Sequence, residues 1–118
     1  MGEGMELSAN PRGRAAEDPD FPGYGFKDSI PHKGGDILFE DLGNDRFRWA
    51  IRTGSSYEPE RHPHGHTLHI EQGKGVVSID GKEHPYSAGQ EFDIHGSVAH
   101  GFIQVDEPTV VLQTPLKE

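Results

Sequence analysis

Turn residues cut this chain into pieces too short for long helices. The 118 residues include 16 glycines and 9 prolines. Between them, apolar and polar side chains alternate with the period of two that puts one face of a strand against a core. Phe47, Trp49 and Ile51 share one face, and Arg48, Ala50 and Arg52 the other. No segment carries a capped helical stripe. Strands are expected at Ile37–Leu42, Phe47–Arg52, Thr67–Gln72, Gly75–Ile79, Lys82–Tyr86, Glu91–Ile94, Val98–Val105 and Thr109–Thr114. Asp80-Gly81 between two of them is a strong hairpin signal. Short strands at such spacing read as an all-β sandwich or barrel.

The length allows one domain. Residues 1–25 lack a period of 2 or 3.6 and read as an N-terminal arm, partly flexible, leaving 26–118 as the β domain. Phe21, Tyr24 and Phe26 could pin the end of that arm onto the domain or onto a second subunit. Acidic residues outnumber basic ones, 20 to 11, for a net charge of −9. A phosphate-tracking protein needs the opposite sign, so neither nucleic acid nor an anionic membrane is an expected partner. No apolar run approaches the ~20 residues of a membrane span. Met1–Asn10 lacks the layout of an export signal, so a cytoplasmic location is expected. Cysteine is absent, which removes disulfides and thiolate chemistry.

Histidine is the unusual residue, with 8 in the chain and four of them within eight positions: His62, His64, His66 and His69. On a straight strand Glu60, His62, His64 and His66 would point the same way. Pro63-His64-Gly65 argues for a kink or bulge. Imidazole is the commonest protein metal ligand, and a carboxylate is a good companion to it. Several imidazoles converging inside a barrel are costly unless something satisfies them, and a divalent metal does so. His100, in another strand, can join such a group.

The spacing of these residues resembles that of a small single-domain cupin. Gly54, five residues, Glu60, one, His62, three, His66, six, Gly73 reproduces the first cupin motif in every interval. The motif's first histidine is here Glu60 and its glutamate is His66, so the ligand inventory is kept with two positions exchanged. In the second motif Gly89 is followed after five residues by His95 in a proline's place, Ser97 stands in a glycine's place, His100 on the metal-binding histidine and Gln104 on an asparagine. The resemblance covers roughly residues 37–114. The run from Glu60 to Leu68 is also similar to a subset of tiny cupins that includes metal-dependent polyketide cyclases and dioxygenase-like proteins.

The resemblance implies a cupin-type double-stranded β-helix, a jelly-roll barrel, usually a homodimer. It implies one divalent transition metal (Fe, Mn, Ni, Zn or Cu) on His62, His66 and His100. Glu60 is the fourth ligand by register and by its shared face with His62. His64 is the rival, or a group beside the ligands. His69 should face outward, His32 and His84 are expected at the surface, and His95 borders the pocket mouth. Phe47, Trp49, Ile51, Leu68, Ile70, Phe92, Ile94, Phe102 and Leu112 are expected inner walls, with Tyr57, Arg48, Gln104 and Gln113 as polar groups. Such a pocket suits a small apolar, aromatic or polyketide-like molecule. The expected function is a dioxygenase or a non-redox cyclase, isomerase or lyase; the alternative is a metal- or ligand-binding module without turnover.

Overall fold

The described residues of a computed structural model, 18–31, 36–57, 59–61 and 63–116, form nine antiparallel strands, eight of them at the alternating segments. They are β1 (Asp28–Ile30), β2 (Ile37–Gly43), β3 (Arg46–Ile51), β4 (His66–Gln72), β5 (Lys74–Ile79), β6 (Lys82–Ser87), β7 (Glu91–Ile94), β8 (His100–Val105) and β9 (Thr109–Pro115). Residues 1–17 of the expected arm, His32 and His62 lie outside the described residues. The described residues contain no helix long and apolar enough to cross a membrane.

Six strands form one sheet in the order β1-β2-β3-β9-β4-β7, and three form a second in the order β6-β5-β8. Their facing sides make an all-β jelly-roll barrel. The core between them takes Ile51, Leu68, Ile70, Val77, Tyr86, Ile94, Phe102, Val105 and Val111, drawn from both sheets. The β5–β6 hairpin turns on Asp80 and Gly81, whose φ angles of 54° and 79° belong to the tight turn that matches strand twist. Pro85 sits in β6, an edge strand, where a missing N–H costs no ladder bond.

Two elements differ from the sequence expectation. β1 was not expected; its three exposed residues carry no alternation to read. β8 starts at His100 and not at Val98, because Val98 and Ala99 are used by the preceding turn, where Val98 N–H donates to the His95 carbonyl.

Residues 54–57, 59 and 60 run along the open edge of β8. Gly54 N–H donates to the Val105 carbonyl at 3.0 Å, Tyr57 N–H to Phe102 at 2.6 Å, and Glu60 and His100 exchange a pair of backbone bonds at 2.9 and 3.0 Å. This cover satisfies the carbonyls of His100, Phe102 and Val105 and the N–H of His100 on that edge, and it brings Tyr57 and Glu60 to the barrel mouth.

Outside the barrel, a second apolar cluster joins Phe21 and Phe26 to Ala50 and Val110 on the outer face of the larger sheet. The segment that ends the expected arm is thus pinned to its own domain.

Candidate functional site

β4 and β8 belong to opposite sheets, and each begins with a histidine. His66 stands opposite Ile94 and Pro115 in the larger sheet, and His100 opposite Ile79 in the smaller. Their Nε2 atoms are 3.3 Å apart, with the rings edge to face at 71°. His100 Nδ1 lies 2.9 Å from the Val98 carbonyl, which can only accept. Nδ1 therefore carries a proton, and in the neutral ring Nε2 turns its lone pair toward His66.

The loops before the two strands are docked on each other. At Gly96 a Cβ would sit 2.5 Å from the Pro63 carbonyl oxygen, so only glycine allows this approach. Arg61 Nη1 donates to the Ser97 carbonyl at 2.8 Å, and Leu116 N–H to the Gly65 carbonyl at 3.2 Å. The second motif's usual glycine is here Ser97, whose φ of 67° is the conformation that favours glycine.

Two adjoining spaces open at the histidine pair. An inner cavity of about 200 Å³ is lined by Trp49, Ile51, Tyr57, Glu60, Leu68, His100, Gly101, Phe102, Val111 and Gln113. A wider vestibule of about 750 Å³ is lined by Asp45, Phe47, Trp49, Pro63, His64, Gly65, His66, Gln113, Pro115 and Leu116. Trp49 and Gln113 border both, and Trp49 Nε1 donates to Gln113 Oε1 at 3.2 Å. The Phe39 and Phe47 rings flank the indole at 5.6 and 6.0 Å. Burial pushes the Tyr57 phenol well above its ordinary value, and the nearby Glu60 charge adds to the rise.

Of the expected site residues, the structure brings together His66, His100, Glu60, Trp49, Tyr57 and Phe102 around these spaces. His64 is exposed in the vestibule wall, beside His66. Glu60 lines the inner cavity with His100 and His64 lines the vestibule with His66, yet among the described residues no three His, Asp or Glu side chains converge on one point.

Several expected positions are corrected. Gln104 is not a pocket group: it is exposed and donates to the Asp106 carboxylate at 3.0 Å. The cause is a bulge, since Val76 and Val77 face Gln104 and Phe102, leaving Ile103 as an extra residue that flips the phase of β8. Val105 takes the inward place instead. Phe92 packs against the core opposite Leu68 but does not line the cavity, because β7 is the edge strand away from it. Leu112 faces outward across from Arg48 and His69; the inward residues of β9 are Val111 and Gln113, a phase hidden by the apolar run Val110-Val111-Leu112. Arg48 lies on the outer face, bonded to Glu71 at 2.9 Å and Glu40 at 3.2 Å. His84 is half-buried, its ring 6.3 Å from that of Phe92. His69 lies outside, between Glu91 at 2.8 Å and Thr114 at 3.1 Å. The vestibule residues Asp45, Pro115 and Leu116 had no signal in the sequence; they meet only through the strand register.

A family model described as a cupin domain matches residues 47–114. Among solved structures, a predicted oxalate decarboxylase from Thermotoga maritima is similar at 20% identity and a TM-score of 0.66, over 75% of this chain and 91% of that one. KdgF from Halomonas sp. is similar at 19% identity and 0.59, over 77% and 88%. A cupin superfamily protein from Desulfitobacterium hafniense is similar at 17% identity and 0.62, over 75% and 84%. These likenesses show the fold. A comparison with curated proteins finds no match.

Proposed function

The chain belongs to the Cupin_2 family of cupin domains, and from that premise we propose that it is a metal-dependent cupin acting on a small apolar, ring-bearing molecule in the barrel cavity. The observation that carries the reading is the 3.3 Å approach of His66 Nε2 to His100 Nε2. Two nitrogens each about 2.05 Å from one tetrahedral ion stand about 3.3 Å apart. His100 also has its second nitrogen tied to a carbonyl, as metal-bound histidines do. His66 and His100 would hold the ion, with His62 joining by its place in the motif and Glu60 or His64 as the fourth ligand. A divalent metal there supplies a Lewis acid, a more acidic bound water or, if redox-active, electrons for O₂.

The chain's own groups do the remaining work. Trp49, Ile51, Leu68, Phe102 and Val111 form an apolar wall that displaces water from a ring. At about 200 Å³ the inner space suits a molecule, or part of one, of single-ring size. Tyr57 stays protonated at neutral pH and can donate to an oxygen gaining negative charge. Glu60, at the same wall, offers an acceptor. The reaction is a dioxygenation or a non-redox cyclisation, isomerisation or elimination.

Elemental analysis of protein purified without added metal tests the site. Wild type and His69→Ala are expected to carry near-stoichiometric metal, and His100→Ala at least about tenfold less. Equal metal in all three refutes the site. Oxygen uptake by the Fe(II)-loaded protein identifies a dioxygenase, and anaerobic turnover with Zn(II) the non-redox class. Ligand binding without turnover under both conditions identifies a binding module.

A further inference from the structure

Gln113 is held in one orientation by its neighbour. The Trp49 indole N–H can only donate, so the atom facing it at 3.2 Å must be the amide oxygen of Gln113. The other end of the amide, an NH₂ with two protons to give, has no protein acceptor among the described residues. Gln113 lies on β9, between Phe47 of β3 and Leu68 of β4, and borders both the inner cavity and the vestibule. Half-buried at the border of the two spaces, this donor faces room that a ligand oxygen can enter in place of water. Phe39 and Phe47 brace the indole that fixes the amide. The amide is an uncharged donor, so it suits a neutral carbonyl oxygen and brings no charge to pair with an anion.

We propose that Gln113 is the specificity-determining donor of this site: its NH₂ group, oriented by Trp49, binds the neutral carbonyl oxygen of an aromatic ligand whose ring fills the inner cavity. Trp49 is a positioning residue in this arrangement as well as a wall. The inference rests on the proposed use of the barrel as a ligand site and does not depend on the metal.

The test uses two probes of one shape. Acetophenone carries a carbonyl oxygen; α-methylstyrene has a CH₂ in its place. Their affinities are measured by calorimetry for the full chain. Wild type is expected to prefer acetophenone by about fivefold, the worth of one net hydrogen bond. Gln113→Leu is expected to lose the preference and turn toward α-methylstyrene, because the ketone oxygen then gives up its hydration without a donor to replace it; its retained binding of α-methylstyrene shows that the cavity is intact. Trp49→Phe keeps an aromatic wall but frees the amide to rotate, and the preference should shrink to about twofold. A preference that survives in Gln113→Leu overturns the assignment, as does a wild type that binds both probes equally. If wild type binds neither probe, the ligand-binding reading of the barrel falls, and this inference with it.

Discussion

The two apolar clusters of this molecule are built on different terms. The core between the sheets is enclosed by strands on both sides, and its side chains come from the alternation of those strands, with one bulge in β8 between Phe102 and Val105. The cluster outside the larger sheet is made by a segment without regular structure. Two rings, Phe21 and Phe26, press onto the small side chains of Ala50 and Val110, and all four are 2% exposed or less. Charges fasten its rim. Arg52 bonds Asp18 at 2.6 Å and Asp20 at 2.9 Å, with its guanidinium 5.5 Å from the Phe21 ring centre. Tyr24 donates to Glu71 at 3.1 Å, and Gln72 donates to the Asp20 carbonyl at 2.9 Å. The inner core is therefore held by apolar area and one buried hydrogen bond between the Tyr86 and Thr109 hydroxyls at 2.7 Å, whereas the outer one combines area with groups that salt and acid can loosen.

The contrast is sharpest at Phe21. Phe21→Ala should cost about 4 kcal/mol in urea denaturation, the same class as a residue inside the barrel. A loss under about 1 kcal/mol would mean that the segment is a surface ornament and not a second core. Within the barrel, Gly75→Ala should cost about 3 kcal/mol. A Cβ there would meet the Gln104 carbonyl oxygen and lie 2.8 Å from the Tyr86 hydroxyl, so β5 and β8 would have to part. A smaller effect is expected from Arg52→Ala, about 1 kcal/mol, because its guanidinium is partly in solvent. Raising salt should shrink that difference and leave the Gly75→Ala difference unchanged; equal salt responses would erase the distinction between the two clusters.

The smallest effect is with acid. The Arg52 hydrogen bond holds the Asp18 carboxyl below its ordinary value of 3.8. Its contribution is fully present above that ordinary value and is lost as pH falls through the lower folded one. The ring signals of Phe21 in proton NMR should therefore shift below about pH 4, ahead of those of Phe102. Simultaneous shifts would show a single cooperative unit.

These differences also explain what was readable in the sequence. Phe47, Trp49 and Ile51 alternate with charged or small residues, and the Asp80-Gly81 turn has one geometry, so the barrel was legible. The intervals from Gly54 to Gly73 located the mouth of the barrel. The errors fall where the period of two breaks. The extra residue Ile103 moves Gln104 out of the pocket, and a continuous apolar run hides the phase of Leu112. Residues 18–26 have no period, so where Phe21 and Phe26 would land depended on contacts more than twenty residues away in the chain. Gln113 could be suspected from composition alone, but its orientation needed the position of Trp49.

The stretch that runs beside β8 ties the guarding of a sheet border to the shape of the barrel cavity. The same backbone that hides a sticky border of the smaller sheet presents Tyr57 and Glu60 to whatever enters the barrel. A substitution that peels this stretch away would open the barrel cavity and, in the same step, uncover a template for self-association. Selection for a molecule that stays dispersed would thus preserve one wall of that cavity whatever the cavity holds.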